Sequence, residues 1–140
     1  MGDFFVDKEE YLSEIKKISV DRYVNIYDGY IPDHEVGNFF VASDLVILPY
    51  ISATQSGIIQ LAYAFERPVI VTNVGGLPEI VENCKTGYIV SPANSSEIAD
   101  SIINFYTNDQ LDKLVENIRK RQDAFSWDTM VGVIEELAAL

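Results

Sequence analysis

The strongest constraint on this chain is a set of short apolar runs that are apolar on both faces. Leu45-Val46-Ile47-Leu48 and Val69-Ile70-Val71 are continuous and apolar on both faces, and Tyr88-Ile89-Val90 is a shorter and weaker strand candidate. Strands that read this way suit a parallel sheet covered by helices on both sides. Val24-Asn25-Ile26-Tyr27 reads as a further strand. Helical spacing fills the intervals. Val36, Phe39, Phe40 and Ser43 follow a start signal at Asp33, and Ile58, Leu61, Ala62 and Phe65 share one face of a second helix. Pro78-Glu79 opens a third helix that continues through Ile80 and Val81. Alternation of this kind predicts an open α/β sheet of about four mainly parallel strands with right-handed crossovers.

The flanks read as helices too. Lys8 to Lys17 places Tyr11, Leu12, Ile15 and Ile18 on one stripe. Ser95-Ser96-Glu97 opens a helix carrying Ile98, Ile102, Ile103 and Phe105-Tyr106. Asn108-Asp109 caps another, with Leu111, Leu114, Val115 and Ile118 inward. Ser126-Trp127-Asp128 opens a last helix with Met130, Val131, Val133, Ile134 and Leu137. With 140 residues, no internal repeat and no linker, residues 1–140 are expected to form a single domain.

Charge narrows the partners. A formal net charge of -12 repels phosphate backbones and anionic lipid faces, so no nucleic acid and no strong membrane docking are expected. One cysteine, Cys84, has no partner for an internal disulfide. Together with the absence of a leader or a long apolar run, this predicts a cytoplasmic protein.

Ligands of doubly wound sheets bind beyond the carboxyl ends of the strands. Two segments lie there. The first, Tyr50-Ile51-Ser52-Ala53-Thr54-Gln55-Ser56-Gly57, runs into a helix whose first amides and dipole favour an anion. Ser56 supplies a hydroxyl, and Gly57 permits close approach; capping alone accounts for the same residues. The second is Thr72-Asn73-Val74-Gly75-Gly76-Leu77-Pro78-Glu79. Its paired glycines permit φ > 0 and close approach to a ligand. Glu79 falls in a first helical turn, where a carboxylate is favoured with or without a ligand. The pair points to a phosphate-bearing ligand held between two turns. It names no reaction.

The order of these motifs resembles the carboxyl-terminal domain of GT-B glycosyltransferases, family four (group 1). The resemblance rests on Gly29-Tyr30-Ile31-Pro32, on Ala42-Ser43-Asp44 with the run to Pro49-Tyr50, on Pro68 through Val81 with its Asn73–Glu79 core, on Thr86 to Val90, and on Phe125-Ser126-Trp127. It implies a Rossmann-like three-layer fold and transfer of a sugar from a nucleotide donor to an acceptor hydroxyl with retention. It implies no cofactor and no metal, the leaving diphosphate being stabilised by helix-end amides. On this resemblance Thr54, Gln55, Ser56, Gly57, Gly75, Gly76 and Glu79 bind the donor, and no catalytic residue is assigned.

The sequence departs from that pattern in two places. Positions where many members carry a pair of glutamates hold Ala53 and Leu61 here. The chain also aligns from just after the family's second strand, so the first strands, a basic diphosphate clamp and the amino-terminal acceptor domain are expected to be missing. Val24–Tyr27 is then expected to pair directly with Leu45–Leu48, or a second copy of the chain to fill the gap. The implied partners are a nucleotide sugar and either the amino-terminal domain or that second copy. A non-catalytic donor-binding module and a sugar-nucleotide epimerase of the same architecture are the alternatives. His34, Tyr50 and Trp127 read more simply as a surface histidine, a strand-end aromatic and a core anchor.

Overall fold

The computed structural model describes residues 8–124. The chain divides into two compact units, Met1–Phe39 and Phe40–Leu140.

The first unit is helical and open. It holds α1 (Lys8–Lys17) and a single 3-10 turn at Asp21–Tyr23, and it ends within α2 (Asp33–Ala42). The expected stripe of α1 forms, yet no residue of α1 is buried, and Tyr11 and Ile18 stay largely exposed. Lys8 and Asp28 pair at 2.5 Å, and the Tyr27 and Phe39 rings meet edge to face at 4.9 Å.

The expected strand Val24–Tyr27 is not a strand, and the pairing proposed for it with Leu45–Leu48 is absent. Val24, Ile26 and Tyr27 are 39%, 38% and 54% exposed. A covered central strand would be buried, and an apolar run becomes a strand only where neighbours take its N–H and C=O groups.

The second unit carries the sheet. Among the described residues it has three parallel strands rather than about four, in the order β1 (Val46–Leu48), β2 (Val69–Thr72), β3 (Gly87–Val90). Val46 registers with Val69, and Val69 with Gly87. The central strand β2 is buried at every residue. The helices that follow α2 are α3 (Gly57–Ala64), α4 (Leu77–Ile80), α5 (Ser95–Thr107) and α6 (Leu111–Ala124). The result is the expected α/β, Rossmann-like arrangement of parallel strands with flanking helices.

One core cluster joins Ile70, Tyr88 and Val90 of the sheet to Phe105 of α5 and Leu114 of α6. Full burial of a side chain such as Phe105 is worth about 1.5–3 kcal/mol. The buried face of α3 is Ile59, Ala62 and Tyr63, not the expected Ile58, Leu61, Ala62 and Phe65. Tyr63 buries because its hydroxyl meets Thr86 Oγ1 at 2.7 Å, and burial pushes its phenol pKa up. Helix α5 starts by reciprocal capping: Asn94 Oδ1 accepts from the Glu97 amide, while the Glu97 carboxylate accepts from the Ser91 amide and hydroxyl and from Asn94 Nδ2. The expected last helix, from Ser126-Trp127-Asp128, lies outside the described residues.

Candidate functional site

The parallel register brings the carboxyl ends of β1 and β2 side by side, and the two turns that follow them touch. Three fastenings hold them. The Thr72 hydroxyl, at the last residue of β2, donates to the Tyr50 carbonyl at 2.6 Å. The Gly76 amide donates to the Thr54 carbonyl at 2.9 Å. Gly75 sits at φ 51° so close to Ala53 that a Cβ there would lie 1.7 Å from the Ala53 carbonyl oxygen. Only glycine fits such a place, for conformation and for space.

The seven residues expected at the site therefore gather in one place, though in unequal roles. Gly76 spends its amide on Thr54, so it closes the turn and is not free to hold a ligand. Its Cα faces the Gln55 and Glu79 side chains: a Cβ on Gly76 would stand 3.8 Å from both Gln55 Cγ and Glu79 Oε2. Thr54, Gln55 and Glu79 are exposed. Among the described residues, the amides of Gly57, Ile58 and Gly75 meet no acceptor. Gly57 opens α3 and faces open space, since a Cβ there would meet nothing within 4 Å.

Ser56 is the unusual member. It occupies the N-cap of α3 with extended backbone (φ -139°, ψ 113°), where serine ordinarily accepts a bond from an amide of the first turn. Here it makes no capping bond. The residue is 92% buried (8% relative exposure), and its Oγ has no hydrogen-bond partner among the described residues. An orphaned buried hydroxyl costs about 1–3 kcal/mol. Such a group needs a reason, and an added ligand oxygen is one.

At the two positions where many family members carry glutamates, the structure shows a backbone contact and a half-buried side chain. The Ala53 carbonyl is the surface on which Gly75 rests, and Leu61 is half-buried in α3. Glu66 belongs to the opposite end of α3, about 12 Å away at 1.5 Å per helical residue. Its carboxylate holds Arg119 of α6 through two bonds of 2.7 and 2.6 Å, and that contact keeps its pKa below the ordinary carboxylate value. Of titratable groups, the two turns carry only the Tyr50 phenol and the Glu79 carboxylate. They can bind an anion and accept from a hydroxyl; they hold no base–nucleophile pair. Among the described residues, no group of three or more His, Cys, Asp and Glu side chains converges on a metal position. His34 lies exposed on α2 in the first unit, its imidazole 3.7 Å from the Glu35 carboxylate. No described helix is long and apolar enough to cross a membrane.

Sequence reasoning missed Thr72, whose buried hydroxyl ties the two turns together. Its only signal was position, as the first polar residue after Val69-Ile70-Val71.

Comparison with known proteins bears on this site. A D-inositol 3-phosphate glycosyltransferase of Paenarthrobacter aurescens is 26% identical over 106 residues, which is 73% of this chain and 25% of that protein. An uncharacterized glycosyltransferase of Methanocaldococcus jannaschii is 31% identical over 109 residues, 74% of this chain and 31% of the relative. The chain thus spans about a quarter to a third of the curated relatives it matches. Among solved structures, Anabaena HepE in complex with UDP-glucose superposes with a TM-score of 0.76 at 22% identity, over 99% of this chain and 40% of that one. The carboxyl-terminal domain of a group 1 glycosyl transferase of Francisella tularensis gives 0.75 at 24% identity, over 84% of this chain and 61% of the other. These likenesses carry the GT-B fold and its carboxyl-terminal domain. Residues 2–108 match the model of the glycosyl transferases group 1 family, and the chain, with its two clasped turns beyond parallel strands, belongs to that family.

Proposed function

We propose that this chain is the nucleotide-sugar-binding portion of a retaining glycosyltransferase, which moves a sugar from a nucleotide donor to an acceptor hydroxyl. The observation that carries this is the clasped pair of turns, which leaves over the Gly57 and Ile58 amides at the start of α3, the Gly75 amide of the second turn and the Ser56 hydroxyl, without partners among the described residues. Amides at a helix start and the helix dipole favour the negative charge of a diphosphate. They stabilise it most as it leaves, when its charge grows, and they do so without a metal ion or other cofactor. Gly57 lets the phosphate reach the backbone. Gln55 and Glu79, which face the same place, accept from or donate to hydroxyls of the donor. The UDP-glucose held by Anabaena HepE supports the choice of ligand class. The turns lack an acceptor-binding element, so transfer requires an amino-terminal domain, or a second copy of the chain in its place. An exposed free Cys84 fits a reducing cytoplasm.

Titration calorimetry with UDP and with UDP-glucose, each with magnesium and with EDTA, tests the reading. Saturable binding that survives EDTA and is weakened by Gly57→Ala is expected. No binding of either compound to the folded chain overturns it. A second reading, a non-catalytic donor-binding or interaction module, is favoured by Ala53 and Leu61 at the glutamate positions. Nucleotide binding retained, with no transfer even after an amino-terminal domain of the family is supplied, selects it.

A further inference from the structure

We infer that Thr72 is a positioning residue: its hydroxyl, donated to the Tyr50 carbonyl, sets the height of the first turn over the sheet and so aligns the amides that the turn presents. The inference rests on the donor-binding reading of the site, though its geometry stands apart from it. Thr72 is fully buried, and its backbone is committed to the β2–β3 ladder opposite Val90. The hydroxyl therefore projects from the central strand of the sheet, which is buried at every residue. The Tyr50 carbonyl it meets belongs to the turn leaving β1. Two further points of that turn follow from this anchor. The Ala53 carbonyl must lie where the Gly75 Cα can rest on it, and the Thr54 carbonyl where the Gly76 amide can reach it at 2.9 Å.

Val71, on the neighbouring position, contributes burial alone, and a valine at position 72 would match threonine in shape while lacking the donor. The Tyr50 carbonyl would then lose its buried partner and seek another by moving. Ser56 and Gly57 lie downstream in the same turn, so the movement reaches the ligand amides directly. Burial on its own would make Thr72 a packing residue. The short directional bond to a turn, at a residue adjoining the turn's second half, is what makes it an alignment element.

The Gly76 amide reports this alignment without any ligand, because its acceptor is the Thr54 carbonyl. The experiment compares wild type, Thr72→Val and Thr72→Ser in the full chain, by amide hydrogen exchange and by UDP titration. Thr72→Val is expected to exchange Gly76 about 5- to 10-fold faster while Ile70 and Val71 keep their protection, and to weaken UDP about 3- to 10-fold. Thr72→Ser, which keeps the hydroxyl, restores both. Unchanged Gly76 exchange in Thr72→Val overturns the inference. So does equal loss in the serine variant, which would assign the effect to the missing methyl and hence to packing. If the wild type binds no UDP, the donor reading fails, while the exchange comparison still decides whether Thr72 positions the turn.

Discussion

The two turns at the strand ends look alike in composition and differ in what they do. The second, after β2, is closed. Its Asn73 amide donates to Val90, its Val74 amide to Thr72 and its Gly76 amide to Thr54, and Gly75 is wedged against Ala53. The first, after β1, is held at its carbonyls but open at its donors. Tyr50 and Thr54 accept bonds, while the Ser56 hydroxyl and the Gly57 amide meet no partner among the described residues. Among the described residues, one turn is therefore a wall that leaves over its Gly75 amide, and the other an offering of several hydrogen-bond donors. Glycine serves opposite ends in the two: at Gly75 it is required by the protein's own backbone, at Gly57 it is required by nothing in the fold.

The largest test of this contrast is Gly75→Val. Its branched side chain must displace the Ala53 backbone and occupy positive φ, at a cost of about 3 kcal/mol or more. Urea unfolding should show that loss, and calorimetry should show UDP binding abolished. Because both change, this variant proves the wall and says little about the ligand.

Ser56→Ala separates them. Removing an N-cap serine ordinarily destabilises a helix, but here the hydroxyl makes no capping bond and is buried with no partner among the described residues. Stability is expected to be unchanged or to rise by up to about 2 kcal/mol, while UDP binding weakens about 3- to 10-fold. A destabilised variant with unaltered binding would mean that the hydroxyl has an internal role and that the turns are alike after all.

Gly57→Ala pushes further in the same direction. Alanine at the first helical position is expected to leave stability equal or raise it by up to about 0.5 kcal/mol, because the Cβ enters open space. UDP affinity should nevertheless fall several-fold, read by the same titration. Equal affinity would remove the phosphate from the helix start.

The smallest effect is expected at the far end of α3. Glu66→Gln breaks an exposed ion pair with Arg119, and the melting temperature at pH 7 should fall by about 1 °C or less, with UDP binding untouched. Contact with Arg119 lowers the Glu66 pKa from 4.5 in the folded chain, so its contribution is present above that value. It disappears as pH falls through the lowered folded value, and thermal melts of the two proteins should converge there.

Much of the second unit was legible in the order of residues. Leu45–Leu48 and Val69–Val71 became β1 and β2 within a residue, because a run apolar on both faces has few uses other than a covered strand, and the weaker candidate Tyr88–Val90 became β3. The site was legible as two segments, since small residues before a helix and paired glycines after a strand are chemical signals in themselves. Val24–Tyr27 misled because apolar content signals burial while strand formation depends on a hydrogen-bonding neighbour, which the run does not name. Tyr63 was not on the expected face of α3; a hydroxyl partner distant in sequence, Thr86, makes its burial tolerable.

Local pattern by itself determined the described helices, the three strands and the two candidate turns, because periodicity and turn chemistry act over a few neighbouring residues. Only the tertiary structure decided which amides those turns leave over. That depended on the register of β1 against β2, which sets Thr54 opposite Gly76, Ala53 against Gly75 and Tyr50 over Thr72. Hydrogen bonds have a reach of about 3 Å, so no inspection of the chain could tell a committed donor from a free one until those residues stood face to face.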